Sequence, residues 1–128
     1  MFKLTKIEGA RINVPEPEYL VASAAIKSGA ACTLNTSGAL VAGTSKPTYI
    51  TLAGGNSGET IPVCRVEPNQ VYEVETTSAP SALKVGSKVA IGSTGVDVSG
   101  TASDSGVATV VATDGASAAG DNIRVRFV

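Results

Sequence analysis

The last seven residues, NIRVRFV at positions 122–128, alternate between polar and apolar side chains as far as Phe127. Successive side chains of a β-strand point to opposite faces of a sheet. Ile123, Val125 and Phe127 should therefore share one face, with the two arginines between them on the other. This two-residue period predicts a closing strand whose apolar face belongs to the core.

The same period recurs along the whole chain, in short runs separated by turns rich in Gly, Ser, Asn and Pro. The eight other runs are FKLTKI, CTLNT, YITL, IPVCRV, VYEVET, KVAI, VDV and VATVVAT. Nine short strands leave few residues for helices. The sequence therefore predicts an all-β fold, a small single-domain β-barrel or β-sandwich with an extended N-terminal segment.

The segment PEYLVASAAIKSG also permits a helical turn, since Pro17 suits a first helical position and Gly29 a stop. Before it, VPEPE at positions 14–18 cannot be a central strand, because its two prolines lack ladder donors. We interpret VPEPE as an extended linker. This divides the chain into an N-terminal segment with a Pro-rich linker, residues 1–18, and a β domain, residues 19–128.

The composition disfavours several classes of partner. Ten basic and eleven acidic side chains give a net charge of −1, and the basic residues are scattered, whereas nucleic-acid binding needs a clustered positive excess. The longest apolar run, YLVASAAI, is far shorter than the roughly 20 residues of a membrane span. The charged start MFKLTKIEGAR does not suit a signal peptide. We expect a soluble protein made in the cytoplasm, with no nucleic acid and no membrane as partner.

The residues that carry most catalytic and metal chemistry are sparse. The chain has no histidine, which removes the commonest general base and the commonest metal ligand together. Its two cysteines, Cys32 and Cys64, are expected to be free thiols buried in the core rather than a disulfide. Glu73 and Glu75 share a face of VYEVET, but a solvated strand face explains them better than a carboxylate pair does. We expect no catalytic residue, no metal and no cofactor.

The glycine-rich stretch AGGNSGET, residues 53–60, invites comparison with the phosphate-binding loop of nucleotide hydrolases. The counterpart of the essential lysine is Glu59, whose carboxylate would repel a phosphate. The following IPVCRV contains a proline and alternates like a strand, where the phosphate loop should open a helix. The stretch is therefore predicted to connect the strands YITL and IPVCRV.

Taken in order, these pieces resemble the head-decoration, or capsid cement, proteins of tailed bacteriophages. The resemblance lies in the succession EYLVASAAIKSGAACTLNTSGALV, TSKPTYITLAGG, IPVCRV, VYEVETTSAP, LKVGSKVAIGSTGVDVS and GVATVVATDGASAAGDNIRVRF. It implies a structural, non-enzymatic virion protein on the capsid exterior, with the major capsid protein of the phage head as partner. The alternative is a carbohydrate- or receptor-binding β module of a phage tail or fibre, although the chain lacks the tryptophan that sugar platforms favour.

Only five aromatic residues are available for the core, so neighbouring subunits are expected to complete it. We expect a homo-oligomer, and a trimer would match a three-fold lattice site. For the N-terminal segment two interpretations are open, a contact with the capsid and an ordinary first strand of the domain. The candidate contact residues are Phe2, Lys3, Leu4, Lys6, Ile7, Arg11 and Tyr19.

Overall fold

The computed structural model describes residues 1–9 and 16–127. Over these residues the chain forms eleven β-strands and no helix. The strands are β1 (Lys3–Ile7), β2 (Glu18–Val21), β3 (Ala31–Leu34), β4 (Leu40–Ala42), β5 (Tyr49–Thr51), β6 (Thr60–Arg65), β7 (Gln70–Thr76), β8 (Lys88–Ile91), β9 (Asp97–Ala102), β10 (Ala108–Ala112) and β11 (Asn122–Arg126). The predicted all-β class is confirmed, and each of the nine predicted strands is present.

The helical turn that the sequence permits in PEYLVASAAIKSG is absent from the structure, so that interpretation is wrong. Its first residues form β2, which pairs antiparallel with β6 from Glu18–Val63 to Val21–Thr60. After β2 the chain bends and makes two single-residue bridges, Ala22 to Leu40 and Ile26 to Gly55. Backbone partners from distant strands override a weak local preference for helix here. The strand begins at Glu18, so the boundary proposed between residues 18 and 19 lies inside β2.

The strands form two rings of identical order. In repeat 1, defined as β2 to β6, the order is β2-β6-β5-β3-β4, and the parallel bridge between Ala22 and Leu40 joins the two ends. In repeat 2, defined as β7 to β11, the order is β7-β11-β10-β8-β9, and parallel pairing of β7 with β9 closes a five-stranded barrel. Each strand of repeat 1 thus has a counterpart in repeat 2. Strand β1 pairs with β7 outside this ring.

The register of the two repeats matches residue by residue. Four consecutive pairs between β2 and β6 correspond to four between β7 and β11. The corresponding pairs are Val21–Thr60 and Glu75–Asn122, Leu20–Ile61 and Val74–Ile123, Tyr19–Pro62 and Glu73–Arg124, and Glu18–Val63 and Tyr72–Val125. The pairing of β3 with β5 recurs in the same way between β8 and β10. The chain is therefore a tandem repeat of one five-stranded unit.

Hydrogen bonds and glycines outside the ladders repeat as well. The Ser23 N–H donates to the Leu40 carbonyl at 3.0 Å, and the Thr77 N–H donates to the Val98 carbonyl at 2.8 Å. Three pairs of glycines with positive φ occupy matching turns: Gly29 and Gly86, Gly38 and Gly95, and Gly58 and Gly120. Turn geometry is thus shared even where the turn sequences differ.

The two repeats have unequal cores. Repeat 1 is filled mainly by small and medium side chains, including Ala22, Ala30 and Cys32. Repeat 2 contains a cluster of three rings, Phe2, Tyr72 and Phe127, with centroids 5.2 to 6.3 Å apart. Ala31 and Ile50 of repeat 1 belong to the same cluster, so the repeats share apolar contacts.

The closing strand follows its prediction, because Ile123, Val125 and Phe127 are all buried. Both cysteines are free and buried, also as predicted. Burial raises the pKa of the Cys32 thiol to about 11.

Candidate interaction surface

One outer face of repeat 1 exposes a row of apolar side chains across three chain segments. Tyr19 of β2 lies opposite Pro62 of β6. On the other side of Pro62, the Leu52 N–H donates to the Pro62 carbonyl at 2.9 Å, just beyond β5. Val21 follows Tyr19 on the same face of β2. We call these four residues the apolar face.

The exposure of this face is large for apolar groups. Tyr19 is 67% exposed, Leu52 51% and Val21 44%. Single exposed apolar side chains are ordinary, but adjoining ones mark a surface that excludes water when a partner binds. The apolar face therefore has the character of a protein interaction site.

A groove of about 410 Å³ adjoins the apolar face, and Leu52 belongs to both. Its other walls include Met1, Leu4, Ile50 and Cys64. Ile50 and Cys64 pair across β5 and β6 and are buried. The apolar surface thus continues from β2, across β6 and Leu52, to the first residues of the chain.

The matching face of repeat 2 is charged. Glu73 and Glu75 stand where repeat 1 has Tyr19 and Val21, and Arg124 stands in place of Pro62. The Asn122 side-chain amide donates to Glu73 at 2.8 Å, and Arg124 forms an ion pair with Asp114 at 3.0 Å. Tyr72 and Val74 point inward and are buried, as predicted for a solvated strand face.

Acidic groups border the apolar face. Glu18 of β2 forms an ion pair with Arg65 at 3.2 Å, and Glu16 and Glu59 are exposed near the two ends of β2. The Arg65 guanidinium also donates to the Tyr49 hydroxyl at 3.2 Å and lies 5.4 Å from the centre of the Tyr49 ring. The hydrogen bond to Glu18 raises the pKa of Arg65 above its ordinary value. The border of the face is thus acidic, with one arginine already engaged.

The structure separates the predicted contact residues. Phe2 is 3% exposed and packs against Tyr72 and Phe127, so the prediction that it is exposed is wrong: it is a core residue immediately before β1. Lys3 and Lys6 are exposed on β1, where Lys6 forms an ion pair with Glu8 at 3.6 Å. Ile7 is half-buried.

Two of the remaining candidates reach the apolar surface. Leu4 lines the groove, and Tyr19 lies on the apolar face. Arg11 is outside the described residues. Val21, Leu52 and Pro62 were not among the candidates. The alternation in YITL does place Leu52 on the same face as Ile50. It could not show that repeat 2 covers Ile50 and leaves Leu52 exposed.

The glycine-rich stretch AGGNSGET leads from β5 into the start of β6, as predicted. It is anchored on the chain after β2, because Ile26 and Gly55 exchange two backbone hydrogen bonds of 2.9 Å. A side chain at Gly55 would collide with Ile61, whose Cγ2 atom lies 2.5 Å from the position of a Cβ. The missing side chain of this glycine thus leaves room for the buried Ile61 side chain.

Among residues 1–9 and 16–127, no group of three or more His, Cys, Asp or Glu side chains could hold a metal ion. Over the same residues, no helix is long and apolar enough to cross a membrane. In comparisons with known proteins, no family model and no curated protein matches the chain. Fold and site therefore define the class, a tandem pair of five-stranded β units with one apolar outer face.

Proposed function

We propose that this chain is a structural virion protein that binds the exterior of an assembled phage capsid and stabilises it. The observation that carries the proposal is the contrast between the two repeats. One fold is used twice, and the same outer face is apolar in repeat 1 and charged in repeat 2. A protein that docks on a shell with one side and meets water with the other needs this division. The succession of sequence pieces gives independent support.

A capsid surface suits a small docking protein because it repeats the same site many times. The apolar face is modest, and a modest interface alone gives weak binding. A homo-oligomer such as a trimer would present several copies of the face at once, and each added contact benefits from a high effective concentration. The proposed partner is therefore the major capsid protein, contacted by an oligomer on the virion exterior.

The alternative, a carbohydrate- or receptor-binding module of a tail or fibre, has one observation in its favour. Tyr19 is an exposed aromatic ring, and the polar groups of Glu18 and Arg65 lie on the same strand pair. Aromatic faces bordered by hydrogen-bonding groups are used to bind sugars. Glycan binding that depends on Tyr19, without binding to shells, would favour this alternative.

The test uses expanded, DNA-free shells made from the cognate major capsid protein. Sedimentation of the purified protein with these shells should recover it at a fixed ratio to the capsid subunit. The double variant Tyr19→Ser, Val21→Ser should have an affinity for the shells at least about tenfold lower, which corresponds to about 1.4 kcal/mol.

The matched control is Glu73→Ser, Glu75→Ser, which changes the corresponding positions of repeat 2 to the same residue. It should bind like the unchanged protein. Failure of the unchanged protein to co-sediment at any shell concentration contradicts the proposal. Equal loss in both double variants contradicts the role of the apolar face.

A further inference from the structure

Inside the chain, the two repeats are joined by a contact between a turn and a strand. The turn between β8 and β9 of repeat 2 lies against β3 of repeat 1, where the Ala31 N–H donates to the Gly95 carbonyl at 2.7 Å. Val96 of the same turn packs against the core of repeat 1. A Cβ added at Gly95 would lie 3.4 Å from the Cβ of Ala42, on β4. The junction thus uses one surface of repeat 1 and a different surface of repeat 2.

The matched register locates the surface of repeat 2 that corresponds to the surface used by repeat 1. Lys88 is the counterpart of Ala31, because β8 pairs with β10 in the register in which β3 pairs with β5. The Lys88 carbonyl accepts a hydrogen bond from the Ser103 N–H at 2.8 Å, as the Ala31 carbonyl does from the Gly43 N–H at 3.2 Å. Repeat 2 therefore has the same strand edge that receives the turn in repeat 1.

In repeat 2 this surface is open. A pocket of about 390 Å³ lies there, which we call the repeat 2 pocket, lined by Gly86, Ser87, Lys88, Ala102, Ser103 and Asp104. Ala102 is the counterpart of Ala42. The N–H and C=O groups of one strand residue point the same way, so the Lys88 N–H points toward Ser103 and the pocket. Outside the strand ladders, no described residue accepts a hydrogen bond from this N–H. The repeat 2 pocket thus matches the site that the Gly95 turn fills in repeat 1.

The corresponding turn of repeat 1 is also uncovered. Residues 35–39, which we call the repeat 1 turn, join β3 to β4, and Gly38 matches Gly95 with a φ of +78° against +77°. Gly95 is buried, whereas Gly38 is exposed and has open space where a Cβ would lie. The repeat 1 turn is one residue shorter, so Val96 has no counterpart. Each chain therefore has one open pocket, on repeat 2, and one open turn, on repeat 1.

The two open sites carry opposite charges where the junction is apolar. Three residues of the junction belong to one apolar cluster, Ala31 and Ile50 of repeat 1 and Tyr72 of repeat 2. Their counterparts at the open sites are Lys88 and Thr109 on repeat 2 and Glu18 on repeat 1. Lys88 is exposed, and the Glu18 side chain is 40% exposed beside Arg65. A contact of the same geometry between two chains would therefore bring a lysine of one chain to a glutamate of the other, which favours the pairing.

We propose that copies of this chain associate head to tail, with the repeat 1 turn of one copy in the repeat 2 pocket of the next. The Gly38 carbonyl then accepts a hydrogen bond from the Lys88 N–H, and Glu18 lies near the Lys88 ammonium group. The contact joins two different surfaces, so it passes from copy to copy and closes into a ring where its rotation allows. Tyr19 and Glu18 point to opposite faces of β2, so the apolar face stays available for the capsid. This inference rests on the proposed function, because it names the interface of the homo-oligomer that the function uses.

Sedimentation velocity of the full chain over a range of concentrations tests the association. The unchanged protein should form oligomers whose fraction grows with concentration. Lys88→Glu should weaken the association at least about tenfold, because it places a carboxylate against Glu18. The double variant Lys88→Glu, Glu18→Lys restores opposite charges and should recover an affinity within about threefold of the original. The control is Lys27→Glu, which changes the net charge equally at an exposed residue outside both surfaces and should have no effect.

Disulfide formation between two copies tests the geometry of the contact. In the junction, a Cβ at Gly95 lies 3.4 Å from the Cβ of Ala42, close to the separation of the two Cβ atoms in a disulfide. The matching pair between two copies is Gly38→Cys in one and Ala102→Cys in the other, and both native cysteines are buried. A mixture of these two single variants should oxidise to the mixed dimer at least about tenfold faster than either variant alone forms a dimer with itself.

The outcomes distinguish this inference from the proposed function. A chain that stays monomeric at every concentration overturns the inference, and binding of that monomer to shells leaves the decoration role standing. Oligomers that are insensitive to Lys88→Glu, or cysteine variants that oxidise as fast with themselves as with each other, overturn the head-to-tail contact. Oligomers that show the expected pattern but never bind shells overturn the proposed function and leave this contact standing.

Discussion

The two repeats share strand order and register but differ in what they present outward. Repeat 1 exposes Tyr19 and Val21 where repeat 2 has Glu73 and Glu75. Strand order and register are set by inward residues, turns and backbone bonds, and outward residues are free to change. The comparison therefore separates the part of the sequence that specifies the unit from the part that assigns each copy its role.

The repeat with the charged outer face has the larger apolar core, and the repeat with the apolar face has the smaller one. Repeat 2, with the charged face, holds the three-ring cluster and receives β1 as a sixth strand. Repeat 1, with the apolar face, has a core of smaller side chains. We infer that repeat 2 carries most of the stability of the chain and repeat 1 carries the contact surface.

The largest expected effect is the loss of stability when Phe127, which directly follows β11, is replaced. Its counterpart at the matching position of repeat 1 is Arg65, the last residue of β6. Phe127 is 1% exposed inside the three-ring cluster, whereas Arg65 is exposed. Phe127→Ala should lower the free energy of unfolding by about 3 to 5 kcal/mol, through the cavity it leaves. Arg65→Ala should cost far less, because an exposed ion pair adds little to stability. Urea unfolding measures both, and equal losses would contradict the assignment of stability to repeat 2.

An intermediate effect is expected at the matched turn glycines Gly38 and Gly95, which have φ of +78° and +77°. An added Cβ at Gly38 has open space around it, whereas at Gly95 it would lie 2.7 Å from the Ala31 carbonyl oxygen of repeat 1. Gly38→Ala should cost about 1 to 2 kcal/mol from backbone strain, and Gly95→Ala about 1 to 3 kcal/mol more from the clash. Thermal unfolding at one pH measures the difference. Equal costs would mean that the repeats separate easily near Gly95.

Alternation in the sequence predicted the strands because it reports local geometry directly. It predicted the inward side of NIRVRFV, the connection AGGNSGET and the burial of both cysteines. It missed β2, since EYLV has too few alternating residues to outweigh the helical spacing around it. It also missed β4, which has only three residues.

The repeat was missed for a different reason. Connecting loops differ in length between the repeats, so matching residues are not a constant distance apart in sequence, and few of them are identical. The apolar face was only partly predicted, through Tyr19, because exposure depends on which side of each strand the other repeat covers. Ile50 and Leu52 share one face of the same segment, but Ile50 packs into the shared core and Leu52 meets solvent. No pattern within one strand contains that information.

The smallest expected effect concerns Cys32, whose counterpart in repeat 2 is the buried Val89. Burial raises the pKa of Cys32 from 9.0 to about 11, so the folded protein holds this proton more tightly than the unfolded chain does. The resulting stabilisation is fully present below about pH 9 and is lost as the pH rises toward 11. Between pH 8 and pH 10, the protein should therefore lose about 1 kcal/mol more stability than Cys32→Val, the variant that places the residue of repeat 2 in repeat 1. Urea unfolding of both proteins at the two pH values measures this difference, in which the titration of other groups cancels. Identical pH dependence would mean that the Cys32 site is open to water, and that the core of repeat 1 is looser than that of repeat 2 at this matched position.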